Sequence, residues 1–303
     1  MQEFEIIKDL ETVIGFMNRV TGTLRKIGDT VCIQNAEGDH FKDRLIWDGY
    51  IHHWLGQEVY GKELEQCDYD TNEKIIILWP NEEPSSEPFV EFYYNERLIK
   101  YPASLFGHNA ININGHIYNF SHLLNENEIM TPEEFFYRPA LGEFSPSPNN
   151  NKFEILDDGR AYYDKFGRNF MRTIHVIRIH GMDTEKLKSI LDHELDVIRA
   201  TPADPSEPEK YKDFSFFTRS CSTIIRDGLI KYGLKNIDGI IPRDLFVNIL
   251  YSLYTDGKDM GLEWELYKKP QLKVPEAPFS KMTPLLNMKN RWYYKMMKAN
   301  KAI

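Results

Sequence analysis

GHNAININGHIYNF at residues 107–120 and FSFFTRSCSTIIRDGLIKYG at residues 214–233 are the stretches on which the reading of this chain turns. In the first, Asn114-Gly115 separates two alternating apolar runs, and that dipeptide closes a two-residue hairpin because both positions accept positive φ. It predicts an antiparallel hairpin with His108 near its start. In the second, Ile224, Ile225, Gly228, Leu229 and Tyr232 share one helical face counted from Cys221, so the cysteine opens a helix. Thr218 or Ser220 can cap it. A thiol in a first helical turn meets free backbone N–H groups and the positive end of the helix dipole, both of which favour the thiolate.

Working outward, RTIHVIRIHG (172–181) alternates like a strand, and DTEKLKSILDHELDVIRA (183–200) opens with a cap and continues as an amphipathic helix. PRDLFVNILYSLY (242–254) adds another helix, with Pro242 at a first-turn position. FVEFYY and LIKY around Asn95-Glu96 suggest a further hairpin, while PALGEFSPSPNNNK (139–152) and TPADPSEPEK (201–210) read as exposed loops bordering a cleft.

Before these, residues 2–20 carry Ile6, Leu10, Val13 and Met17 at helical spacing. TGTLRKIGDTVCIQ reads as two strands about Gly28-Asp29, KIIILW reads as a buried strand, and NEEPSSEP (81–88) is a linker. The expected organisation is a helix plus a small β-rich module over 1–85, a main domain over 86–265, and a proline-punctuated, basic and aromatic C-terminal extension over 266–303. The fold class is α+β, an antiparallel sheet with the Cys221 helix packed against it.

Composition excludes several classes. At 303 residues, with 42% apolar and 13% aromatic side chains, the chain has ample material for a core. A net charge of −9 opposes nucleic-acid binding. The first residues carry acidic groups where a signal peptide is basic, and no apolar run approaches a membrane span, so the expectation is a protein made in the cytoplasm. Cys32, Cys67 and Cys221 lack the paired spacing of a zinc site, and their odd number opposes a disulfide framework. Neither a metal nor a cofactor is expected.

A nucleophilic thiolate needs a base and a group that orients the base. Among nine histidines His108 is the best placed, because a hairpin strand holds its ring more rigidly than a loop. Cys32 and Cys67 read as structural. Asp192-His193-Glu194 lacks the i, i+4 histidine pair of a zinc protease and reads as a solvated helix face. His175 and His180 read as exposed strand positions, and His52-His53 has no partner pattern. The tail's Trp292, Tyr293 and Tyr294 read as a helix packed on the body with its lysines in water.

Gly107-His108-x-x-Ile111 in a hairpin, followed about a hundred residues later by a cysteine opening a helix, resembles the circularly permuted NlpC-type papain-like cysteine hydrolases over residues 89–260. Relatives of that family include lecithin:retinol acyltransferase-like proteins and secreted antibacterial effectors. The resemblance implies a permuted papain-like domain with Cys221 as nucleophile, His108 as base and the Cys221 N–H in the oxyanion hole. For the orienting residue it implies Asn119 on the second hairpin strand, with His116 as the alternative.

The activity implied by the resemblance is thioester-mediated cleavage of amide bonds in cell-wall peptides, as an amidase or endopeptidase. Export by a type VI-like secretion machine would accompany it, with a component of that machine or a cognate immunity protein as partner. The same dyad acting on an acyl lipid, as a phospholipase or acyltransferase, is the second reading. A catalytically inactive binding module is the third.

Overall fold

The computed structural model describes residues 20–28, 30–37, 40–42, 54–67, 74–80, 85–98, 105–124, 127–137, 172–271 and 280–303. The chain divides into two compact units, one containing residues up to Pro84 together with Glu133–Met171, the other formed by Ser85–Pro132, Arg172–Gln271 and Phe279–Ile303.

The first unit contains a five-stranded antiparallel sheet built from β1 (Val20–Ile27), β2 (Thr30–Gln34), β3 (His40–Lys42), β4 (Glu58–Cys67) and β5 (Lys74–Pro80), in the order β3-β2-β1-β4-β5. Ile27 pairs with Thr30, so the β1–β2 hairpin turns over two residues, with Gly28 at φ 61°. Leu24 and Ile33 face each other across that hairpin and are both buried. Cys32 is buried too, and burial pushes its thiol pKa up. Of the expected helix at 2–20 only Val20 is described, and it begins β1; residues 2–19, the loop at 139–152 and His52-His53 lie outside the described residues.

The second unit is a six-stranded antiparallel sheet with helices on one face. Its strands are β6 (Val90–Asn95), β8 (His108–Ile113), β9 (His116–Asn119), β10 (Glu128–Met130), β11 (Ile174–His180) and β14 (Glu263–Lys269), in the order β10-β9-β8-β6-β11-β14. Two small pairs accompany it: β7 (Arg97–Leu98) with β15 (Ser280–Lys281), and β12 (Ala203–Asp204) with β13 (Glu207–Tyr211). The helices are α1 (Pro132–Tyr137), most of which falls with the first unit, then α2 (Thr184–Ala200), α3 (Cys221–Tyr232), α4 (Pro242–Asp256) and α5 (Met288–Ala299). The mixed α+β class and the antiparallel sheets are as the sequence leads one to expect.

The register explains the core. Phe92 lies opposite both Ile111 and Ile177, and Ile111 lies opposite Tyr118, giving an apolar row across four strands. Leu187, Leu191 and Leu195 of α2, Ile225 and Leu229 of α3, and Leu245 and Ile249 of α4 belong to the same buried cluster. Burying such side chains contributes about 1.5–3 kcal/mol each. Asp183 caps α2 by accepting from the Lys186 N–H, and Pro242 occupies the first turn of α4.

Several expectations need correction. β6 does not return on itself at Asn95-Glu96; it pairs with β8 and β11, while β7 leaves the sheet to pair with β15. The buried Glu96 draws the chain there, its carboxylate bonded to His175 and to the Ser280 hydroxyl. His175 is therefore buried, not exposed. Residues 201–210 are partly ordered as the β12–β13 hairpin. Of the C-terminal extension, β14 pairs with β11 along its whole length, and Tyr293 and Met297 of α5 enter the core of this unit.

Candidate functional site

The His108 hairpin forms with the expected turn. Ile113 pairs with His116, and Asn114 and Gly115 both have positive φ, at 51° and 89°. Ala110 pairs with Asn119, so Asn119 and His108 are diagonal neighbours on one side of the hairpin, a relation that brings long side chains into contact. Nε2 of His108 lies 2.7 Å from Oδ1 of Asn119. The amide oxygen accepts the Nε2 proton, which fixes the tautomer and leaves Nδ1 as the basic nitrogen. His116 sits at the turn end of β9 and is exposed, three residues from Asn119 along the strand.

Cys221 is the first residue of α3. Ser220 is the N-cap: its hydroxyl accepts from the Thr223 N–H while the Thr223 hydroxyl accepts from the Ser220 N–H, a reciprocal capping box. Thr218, the alternative cap, instead donates its N–H to the Ser215 carbonyl in the preceding turn. The cap fixes the start of the helix at Cys221, whose thiol is half-buried.

The α3 terminus and β8 meet at this point. The Ser222 hydroxyl donates to Oδ1 of Asn109 at 2.9 Å, and the Asn109 amide donates to the Tyr93 carbonyl at 2.9 Å. The thiol is thereby placed within bonding reach of His108. Burial pushes the Cys221 pKa up, but the His108 ring, the Asn109 backbone N–H and the Ser222 hydroxyl outweigh it and bring the thiol down to about 7. A substantial thiolate fraction at neutral pH is what nucleophilic attack on an acyl carbon requires.

The segment leading into Cys221 is pinned from behind. Glu194 of α2 accepts from Arg219 and from Lys231 at 2.6 Å, and the Tyr211 hydroxyl donates to the Arg219 carbonyl at 2.7 Å. Glu194 is buried and its carboxyl is held below the ordinary range; burial opposes this, and the bonds from Lys231 and Arg219 prevail. The Asp192-His193-Glu194 cluster is thus not a solvated face: only His193 is exposed, and Asp192 accepts from the Tyr118 hydroxyl at 2.6 Å. Sequence reasoning missed Glu194, Asn109 and Ser222, and for Glu194 the partner is 25 residues away, beyond any local pattern.

Phe106 and Phe216 bring the two segments together from the other direction. Their ring centroids are 5.3 Å apart, and Phe217, itself edge-on to Phe216, is 66% exposed. Apolar rings thus flank the residues that precede both His108 and Cys221. Among the described residues no cluster of histidine, cysteine and carboxylate side chains could hold a metal ion, and no helix is long and apolar enough to cross a membrane. Compared with protein-family models, curated proteins and solved structures, the chain gives no match.

Proposed function

We propose that the second unit is a cysteine acyl-transfer enzyme of the permuted NlpC type, with Cys221 as nucleophile, His108 as base and Asn119 as the residue that orients His108. The observation that carries this reading is the convergence of the three side chains, from a hairpin and a helix a hundred residues apart, around a thiol with a pKa of about 7. Asn119 is preferred to His116 as the orienting group because of its bond to Nε2.

The chemistry follows from these roles. The Cys221 thiolate attacks the carbonyl carbon, forming a C–S bond and an oxyanion that the Cys221 N–H, outside the helical hydrogen-bond ladder, can receive. Collapse breaks the C–N bond, and protonated His108 gives its proton to the leaving amine. Water, losing a proton to His108, then attacks the thioester, and the C–S bond breaks to release the acid and restore the thiol. The substrate class proposed from the family resemblance is an amide bond of cell-wall peptide, cut by an effector that is exported by a dedicated secretion machine and met by an immunity protein.

The exposed Phe217 beside Phe216 and Phe106 favours a second reading, in which the acyl group is that of a lipid ester and the enzyme is a phospholipase or acyltransferase. One experiment separates these. Wild type and Cys221→Ala are incubated with purified peptidoglycan and with phospholipid vesicles, alongside iodoacetamide labelling with site mapping. Cys221-dependent release of peptide supports the amidase, and release of fatty acid supports the lipase. No turnover together with uniform labelling of all three cysteines would replace both readings with an inactive binding module.

A further inference from the structure

A second site lies in the same unit, away from Cys221. Between β6, β11 and β14 on one side and α4 and α5 on the other is a cavity of about 310 Å³. Phe246, Leu250, Leu266 and Met282 give it apolar walls, and Leu266 is 39% exposed at its rim. Arg243, Lys268 and Lys298 also line it. None of these three cations makes an ion pair among the described residues.

The cations are gathered, not scattered. The Arg243 guanidinium lies 5.6 Å from the centre of the Tyr294 ring and the Lys298 Nζ lies 5.4 Å from it, while Arg243 also donates to the Thr283 carbonyl. The nearby carboxylate Glu96 feels the charge of Lys268, but its direct bonds go to His175 at 2.8 Å and to the Ser280 hydroxyl at 2.8 Å, and Ile303 also lines the cavity without pairing to any of the three cations. Apolar walls with a few convergent polar groups are what a small-molecule site looks like. A neutral apolar ligand would leave the cations unused, and a small, highly charged anion would leave the apolar walls in water.

We infer that this cavity binds a single-chain anionic amphiphile, its chain against Phe246, Leu250 and Met282 and its carboxylate or phosphate head between Arg243, Lys268 and Lys298. The inference does not depend on the activity of Cys221, whose thiol sits beside β8 and not among the strands that line the cavity.

Calorimetric titration of the full chain with decanoate, decyl phosphate and decanol tests it. At least one of the two anions should bind saturably at one site per chain, with decanol at least ten-fold weaker. Lys268→Glu combined with Lys298→Glu, both exposed positions, should weaken the anion at least ten-fold with an unchanged melting temperature, whereas Cys221→Ala should bind as wild type does. Better binding of decyl phosphate than of decanoate would identify the head as phosphate, and the reverse as carboxylate. Absence of saturable binding by either anion, equal binding of decanol, unchanged affinity in the charge-reversed variant, or loss of binding in Cys221→Ala would each overturn the proposal.

Discussion

Asn119 reaches His108 diagonally across the β8–β9 hairpin, with 2.7 Å between its Oδ1 and the Nε2 of the ring. If that contact orients the base, Asn119→Ala should slow Cys221-dependent turnover by up to about 100-fold, the scale expected of a misplaced catalytic group. Asn119→Gln should recover little, because the longer arm cannot occupy the same diagonal. The exposed His116 should tolerate alanine with no change in rate. Rates and pH profiles of the three variants check this, and a His116→Ala defect as large as that of Asn119→Ala would reverse the assignment.

Reactivity of the thiols should separate by pH. Cys221 is brought to about 7, against an ordinary value of 9.0, so its alkylation rate should rise through pH 7 and level off above it. Cys32 is pushed up by burial and should lag throughout. His108→Ala removes the chief group that lowers the Cys221 pKa and should move the labelling midpoint upward. The same shift enters stability: the thiolate contribution grows from pH 7 to 9 and is lost as pH falls through 7, so Cys221→Ser should flatten stability over that window. Iodoacetamide kinetics with site mapping, and denaturation at several pH values, measure both.

The His108 hairpin and the Cys221 helix were legible because each is specified locally. Asn114-Gly115 encodes its own turn, and the period of Ile225 and Leu229 together with the Ser220 cap encodes the helix. The Asp183 cap and Pro242 were readable for the same reason. What escaped was set by tertiary partners. Asn95-Glu96 has the composition of a turn, yet Glu96 serves His175 and Ser280, which lie 79 and 184 residues away. Glu194 reads as a surface carboxylate on a helix until Arg219 and Lys231 are brought to it. The split of the sheet, with β14 pairing at the edge of β11, likewise has no local signal.

Glu194 should matter for stability and for the placement of Cys221. Its cationic partners are partly solvated, Arg219 at 26% and Lys231 at 53%, so Glu194→Gln should cost about 1–2 kcal/mol, less than the 3–5 kcal/mol of a fully buried broken pair. Its carboxyl pKa is lowered in the fold, so its contribution is present above the ordinary value of 4.5 and is lost as pH falls below it. Chemical denaturation from pH 7 down to pH 3 should therefore show wild type and Glu194→Gln converging. A gap that stays constant across that range would mean that the carboxylate charge is not the source.

Gly107 immediately precedes His108 and has φ 83°, a conformation that other L residues adopt only with strain. A Cβ there would stand 2.4 Å from the Asn95 carbonyl oxygen and 3.0 Å from a ring carbon of Tyr94, so the β6 and β8 backbones approach each other through the missing side chain. Gly107→Ala should combine a strained dihedral, about 1–3 kcal/mol, with an overpacking cost of about 1–3 kcal/mol. The strain falls on the residue that aims the imidazole, so activity should drop further than stability alone explains. Gly115 supplies the control: it has φ 89° but nothing within 4 Å of its would-be Cβ, so Gly115→Ala should show the dihedral cost without the clash and should leave the Cys221 labelling profile in place. Equal losses of stability and equal labelling profiles in the two variants would show that the close approach at Gly107 does not position His108.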